Sequence, residues 1–150
     1  MGSNERGRQQ GRPLPGSVAL SRPHLTERRI ATVQATFYIT TGLWPLLHRR
    51  SFERVTGPKV DFWLAQTVGI TIAAIGAGLA QAGSRTPRVP RELRTVALAS
   101  AAGLAIVDLY FVAQRRISTI YLADAAAELA LIVAWLLAHE QRGTSLHYRH

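Results

Sequence analysis

Apolar residues in this chain are gathered into four runs, at 30–47, 62–82, 95–113 and 117–138, and the arginines fall almost entirely between them. Each run is near the ~20 residues that carry a helix across ~30 Å of hydrocarbon at ~1.5 Å per residue. None contains Lys or Arg. Helices that pack together in water need a charged outer face at helical spacing, and these runs have none. The pattern therefore predicts an all-α integral membrane four-helix bundle, with four transmembrane helices and short loops.

The polar stretches supply the punctuation. "SFERVTGPKVD" reads as a short interfacial turn of helix stopped at Gly57 and Pro58, after which Asp61 is expected to cap the second span. Gly83 is expected to close that span, and Pro90 to stand in the first turn of the next. The connection "QRRIS" is so short that the third and fourth spans must be antiparallel neighbours. Residues 1–20, rich in Gly, Pro, Gln and Arg, read as a disordered basic tail. The bundle is expected over 21–142 and a C-terminal tail over 143–150. The first run follows a polar lead and ends in "LWPLLHRR" without a small-x-small cleavage site, so it is expected to be a retained span.

Composition changes this picture in two ways. A net charge of +9 beside 47% hydrophobic residues requires the two properties to be segregated along the chain. Of the 18 basic residues, 12 fall on the side that holds both termini and 6 on the other, which places both termini in the cytoplasm of a multi-pass cell-membrane protein. Trp44 and Trp63 toward one surface and Trp135 toward the other are expected to form interfacial belts. The chain has no cysteine, which excludes disulfides, thiolate metal sites and a cysteine nucleophile. HExxH, GxSxG and phosphate-cradling loops are missing, and the five histidines lie outside the apolar runs without metal-ligand spacing. No metal or cofactor is expected, and the basic tail lacks an aromatic to stack on a base, so nucleic acid is not an expected partner.

The candidate chemistry lies inside the runs. "YLADAAAELALIVAW" carries Asp124 and Glu128 on one helical stripe with Tyr121 and Trp135, spanning roughly 60°. A charged acid costs about 2.5–3.5 kcal/mol near the bilayer centre, so this stripe is expected to face the interior. Asp108 and Asp124 fall ~8–11 Å below the same interface, with Glu128 a turn deeper. Gln34, Tyr38 and Thr41 on the first span and Gln66 on the second share a stripe or a depth with them. These eight residues are the expected lining of one pocket for a small cationic or hydrophobic ligand. Glu128 is expected to sit there protonated, whereas Arg115 and Arg116 are placed to snorkel back toward Asp108. Small-residue runs, "ITIAAIGAGLA" and "ALASAAGLA", are expected to bring backbones close within the bundle or at a dimer seam.

The stretches "SFERVTGPKVDFWLAQTVG" and "RISTIYLADAAAELALIVAW" resemble an uncharacterised family of small bacterial integral membrane proteins with four helices. The resemblance covers about a third of the chain and implies architecture without chemistry. Compact four-helix multidrug exporters offer an analogy, since they too work with an intramembrane acid. Their acid is in the first span, where this chain has Gln34, Tyr38 and threonines. Three function classes follow: proton-coupled binding or transport of a cation or hydrophobic amine, a scaffold or accessory subunit for a membrane partner or a second copy, and an acid/base isomerase acting on a lipid-soluble substrate. The first is preferred, and catalysis is the least expected.

Overall fold

The computed structural model describes residues 23–146 apart from Pro87, with side chains described over 26–139. The tail at 1–20 and the last four residues of the expected C-terminal tail lie outside the described residues. Within them the fold is all-α: α1 (Pro23–Leu47), α2 (Arg49–Thr56), α3 (Phe62–Arg85), α4 (Arg91–Ala113) and α5 (Tyr121–Leu146). α5 runs past the expected boundary at 142, because "AHEQRG" contains no residue that stops a helix beyond the weak penalty of Gly143.

Three helices are long and apolar enough to cross a membrane: Phe62–Arg85, Arg91–Ala113 and the Tyr121–His139 part of α5. The expected fourth span, α1, falls short on composition. Within the run 30–47, Gln34, Tyr38, Pro45 and four threonines dilute its apolar content. The threonines are nonetheless suited to a dry setting. Thr32, Thr36 and Thr40 lie on one exposed face, and each hydroxyl donates to the carbonyl four residues earlier at 2.7–2.9 Å.

α1 pairs with α3 and α4 with α5, and contacts between α1 and α5 and between α3 and α4 close the ring. The α1–α3 seam is antiparallel and set by glycines. A Cβ on Gly42 would sit 2.5 Å from the Gly69 carbonyl oxygen, and one on Gly76 3.0 Å from the Ala35 carbonyl oxygen. Gly83 does not close α3, which runs on to Arg85. It meets Thr32 and Arg28 at the far end of the seam instead, and Arg28 Nε donates to its carbonyl at 2.9 Å. Gly69, Gly76 and Gly83 are seven residues apart, so one bare stripe recurs every two turns and the backbones approach along its length.

The ends are fixed by local chemistry. His48 separates α1 from α2, and its Nδ1 accepts from the Ser51 amide at 3.3 Å. Gly57 ends α2 at φ 86°, a left-handed value that suits glycine. Asp61 stands at the N-cap of α3 without the expected side-chain bond. α4 ends in a Schellman motif: the Arg116 amide reaches Phe111 O at 3.0 Å and the Arg115 amide reaches Val112 O at 2.8 Å. Arg115 occupies its left-handed position at φ 55°, where glycine is usual.

Packing divides the molecule into a filled half and a hollow half. Ala31, Ala35, Leu79, Ala82, Val89, Ala97 and Trp135 form the buried core toward the start of α1. The other half, bounded by α2 and the 114–120 connection, holds a cavity. Outward the helices present large apolar side chains, among them Val33, Ile70, Ile106 and Leu137, each more than half exposed.

Candidate functional site

The cavity is about 640 Å³, and all five helices contribute to its walls. Most of the wall is apolar, from Phe37 on α1, Leu64 and Val68 on α3, and Leu104 and Phe111 on α4. Its polar groups descend along α5 one turn at a time. Tyr121 lies at the end nearest α2, beside Lys59, Asp124 lies a turn further along, and Glu128 a further turn on at full burial. Asp108 of α4, 6% exposed, lines the same cavity as Asp124. Asp108 Oδ2 and Glu128 Oε1 are buried without a hydrogen-bond partner among the described residues.

The floor is held by a continuous polar chain. Tyr38 OH donates to Glu128 Oε2 at 3.0 Å and lies 3.2 Å from Ser100 Oγ. Ser100 Oγ donates to Ala97 O at 3.1 Å, and Gln34 Nε2 donates to the same carbonyl at 2.9 Å. Trp135 Nε1 completes the chain by donating to Gln34 Oε1 at 2.8 Å. α1, α4 and α5 are thereby tied at mid-height by bonds that leave one carboxylate oxygen of Glu128 over for the cavity.

Of the eight expected residues, Tyr38, Thr41, Asp108, Tyr121, Asp124 and Glu128 line the cavity. Gln34 lies below it, in the layer that closes the floor. Gln66 is half-buried on α3 and does not line it. On α3 the cavity-facing arc runs from Leu64 to Gly69, and Gln66 falls about 60° beyond its edge. Trp135 is 1% exposed and belongs to the floor rather than to an interfacial belt. Its stripe position beside Glu128 outweighed its distance from the helix middle. Arg115 and Arg116 are both exposed and neither pairs with Asp108. With Arg115 held by the Schellman turn, both project away from the α4–α5 interior.

The aromatic and basic contacts of the rim were not among the expected site residues. Trp44 packs edge-on against Phe52, with ring centroids 5.6 Å apart, and Phe52 against Phe62 at 6.1 Å. The Arg49 guanidinium lies 4.3 Å from the Phe62 ring centre and bonds both Glu53 oxygens, which holds Glu53 below the usual carboxylate range. Lys59 is part of the wall as well. Its Nζ donates to Thr56 O at 2.9 Å and stands 5.3 Å from the centre of the Tyr121 ring. Burial pushes the Lys59 ammonium below its usual range, against the opposing effect of Glu53.

The chain matches no protein-family model, no curated protein and no solved structure. The site is therefore read from its own chemistry. Among the described residues no group of His, Cys, Asp or Glu is arranged to hold a metal ion. What the arrangement offers is an apolar chamber with a carboxylate floor, suited to a cation whose body is apolar.

Proposed function

We propose that this is a multi-pass membrane protein that binds or transports a cation or hydrophobic amine in the α1–α5 cavity, with proton exchange at its carboxyl groups. The observation that carries the reading is the pair of buried, unpartnered carboxyl oxygens, Glu128 Oε1 and Asp108 Oδ2, in the wall of a chamber otherwise largely apolar. A carboxyl group away from water needs either its proton or a counter-cation. A cationic ligand entering the chamber supplies the charge, and the Glu128 proton leaves to solvent, so the net charge of the site is the same in both states.

In this reading α1 crosses the bilayer beside the three apolar helices. It lies against α3 from Gly42–Gly69 at one end to Thr32–Gly83 at the other, so it shares the depth of α3 whatever its composition. Its apolar run, 30–47, spans about 27 Å at ~1.5 Å per residue, close to the ~30 Å of hydrocarbon. Both termini then lie on the side bearing more of the arginine, the cytoplasmic side.

The test is calorimetric titration of the detergent-solubilised chain with dansylcadaverine, an alkylammonium with an aromatic body, in two buffers of different ionisation enthalpy. The expected result is saturable binding with about one proton released per ligand in the wild type. Glu128→Gln is expected to remove the proton release and weaken binding. Equal affinity and equal proton release in Glu128→Gln would overturn the assignment.

A further inference from the structure

The cavity already has a cation in its wall. Lys59 is half-buried between α2 and α3, its ammonium held by one carbonyl and the face of Tyr121. The ion pairs among the described residues are Arg49–Glu53 and Arg94–Glu27, so no carboxylate claims Lys59 directly. Tyr121 begins the series of Tyr121, Asp124 and Glu128 along α5, so the ammonium stands at the Tyr121 end of the acids, one and two helical turns from them. Its four-carbon arm ending in a charge has the chemistry of a primary alkylammonium.

We propose that Lys59 is a tethered competitor: it occupies the entry subsite on Tyr121 that the head of a cationic ligand must cross, and the ligand binds by displacing it. This rests on the cation-binding reading of the cavity and deepens it. The ligand class is a primary alkylammonium with an apolar body, because the subsite is formed by an aromatic face and a backbone carbonyl. Such a subsite accepts a compact ammonium and offers nothing to an anion. Lys59 also sets selectivity, since a like charge at the mouth disfavours every cation whose apolar body gains too little inside to offset the displacement.

The experiment is equilibrium binding of dansylcadaverine, followed by its fluorescence, to the full chain in detergent. Lys59→Met keeps the length of the arm without its charge, and Lys59→Arg keeps the charge. Lys59→Met is expected to bind about three- to thirtyfold tighter than wild type, the span of a cation–π contact between exposed and desolvated settings. Lys59→Arg is expected to stay near wild type. Adding Tyr121→Leu to Lys59→Met is expected to cancel most of the gain, because the ligand then loses the ring that the lysine vacated. Thermal unfolding of each variant shows that it is folded. If Lys59→Met binds no tighter while Glu128→Gln still weakens binding, the role of Lys59 is overturned and the cavity reading stands. If no folded variant binds at all, both are overturned.

Discussion

Replacing Gly69 by alanine puts a methyl group where the α1 and α3 backbones touch. The new Cβ meets the Gly42 carbonyl, with Pro45 Cγ and Leu46 Cδ1 each at 3.1 Å. The reciprocal change, Gly42→Ala, places its Cβ 2.5 Å from the Gly69 carbonyl oxygen and 3.0 Å from the Ala73 amide nitrogen. The nearest of these neighbours, the Gly42 and Gly69 carbonyls, are backbone, so they cannot turn aside as a side chain would. Ordinary contact is near ~3.5 Å, so the helices must part by about 1 Å, a gap that forfeits a quarter to a half of each dispersion well along the seam. Overpacking of this kind costs about 1–3 kcal/mol. Gly103→Ala is the control: a Cβ there meets nothing within 4 Å, and helix propensity favours it by up to ~1 kcal/mol. The contrast between the two sites is therefore about 2–4 kcal/mol. The assay is reversible unfolding of the purified chain in mixed micelles. The double variant Gly42→Ala/Gly69→Ala should cost less than the sum of its parts, because both methyl groups enter the same opened gap. Gly42 and Gly69 also line the cavity, so dansylcadaverine affinity should fall with stability. If Gly69→Ala is as harmless as Gly103→Ala, the seam is not close-packed and the reasoning fails.

Three further outcomes can be checked on the same preparation. Arg115→Gly relieves a left-handed residue in the Schellman turn and should stabilise the chain by about 0.5–1 kcal/mol; destabilisation would show that the Arg115 side chain holds something that matters. Tyr38→Phe removes the donor to Glu128 Oε2 and should cost about 1–2 kcal/mol, whereas Ser100→Ala, which leaves that bond in place, should cost less. Glu53 is held below the usual carboxylate range by Arg49, so its contribution is present above that range and is lost as the pH falls through the lowered value. The gap in unfolding midpoint between wild type and Glu53→Gln should accordingly close in strong acid, and a gap independent of pH would count against the pairing.

The apolar runs fixed the helices because burial without charge needs a helix whose backbone bonds are internal, and that requirement is written in consecutive residues. Spacing on a single helix was equally legible. Tyr121, Asp124, Glu128 and Trp135 share a face of α5 whatever surrounds it, and an interior direction for that face followed from the cost of exposing acids to lipid. Partnership between helices was not written there. That Tyr38 meets Glu128, that Trp135 reaches Gln34 and that Gln66 stands beyond the cavity edge depend on rotations of a few tens of degrees set by the Gly42–Gly69 and Gly76–Ala35 contacts. The small-residue run "ITIAAIGAGLA" signalled a close approach, but not which helix would meet it. Lys59 shows the limit most clearly. A lone lysine in a loop carries no information about its neighbours, and only the fold of α2 over the cavity brings its ammonium to the Tyr121 ring. Local periodicity determines what each helix can bury, while close contact between distant backbones decides which buried groups face one another.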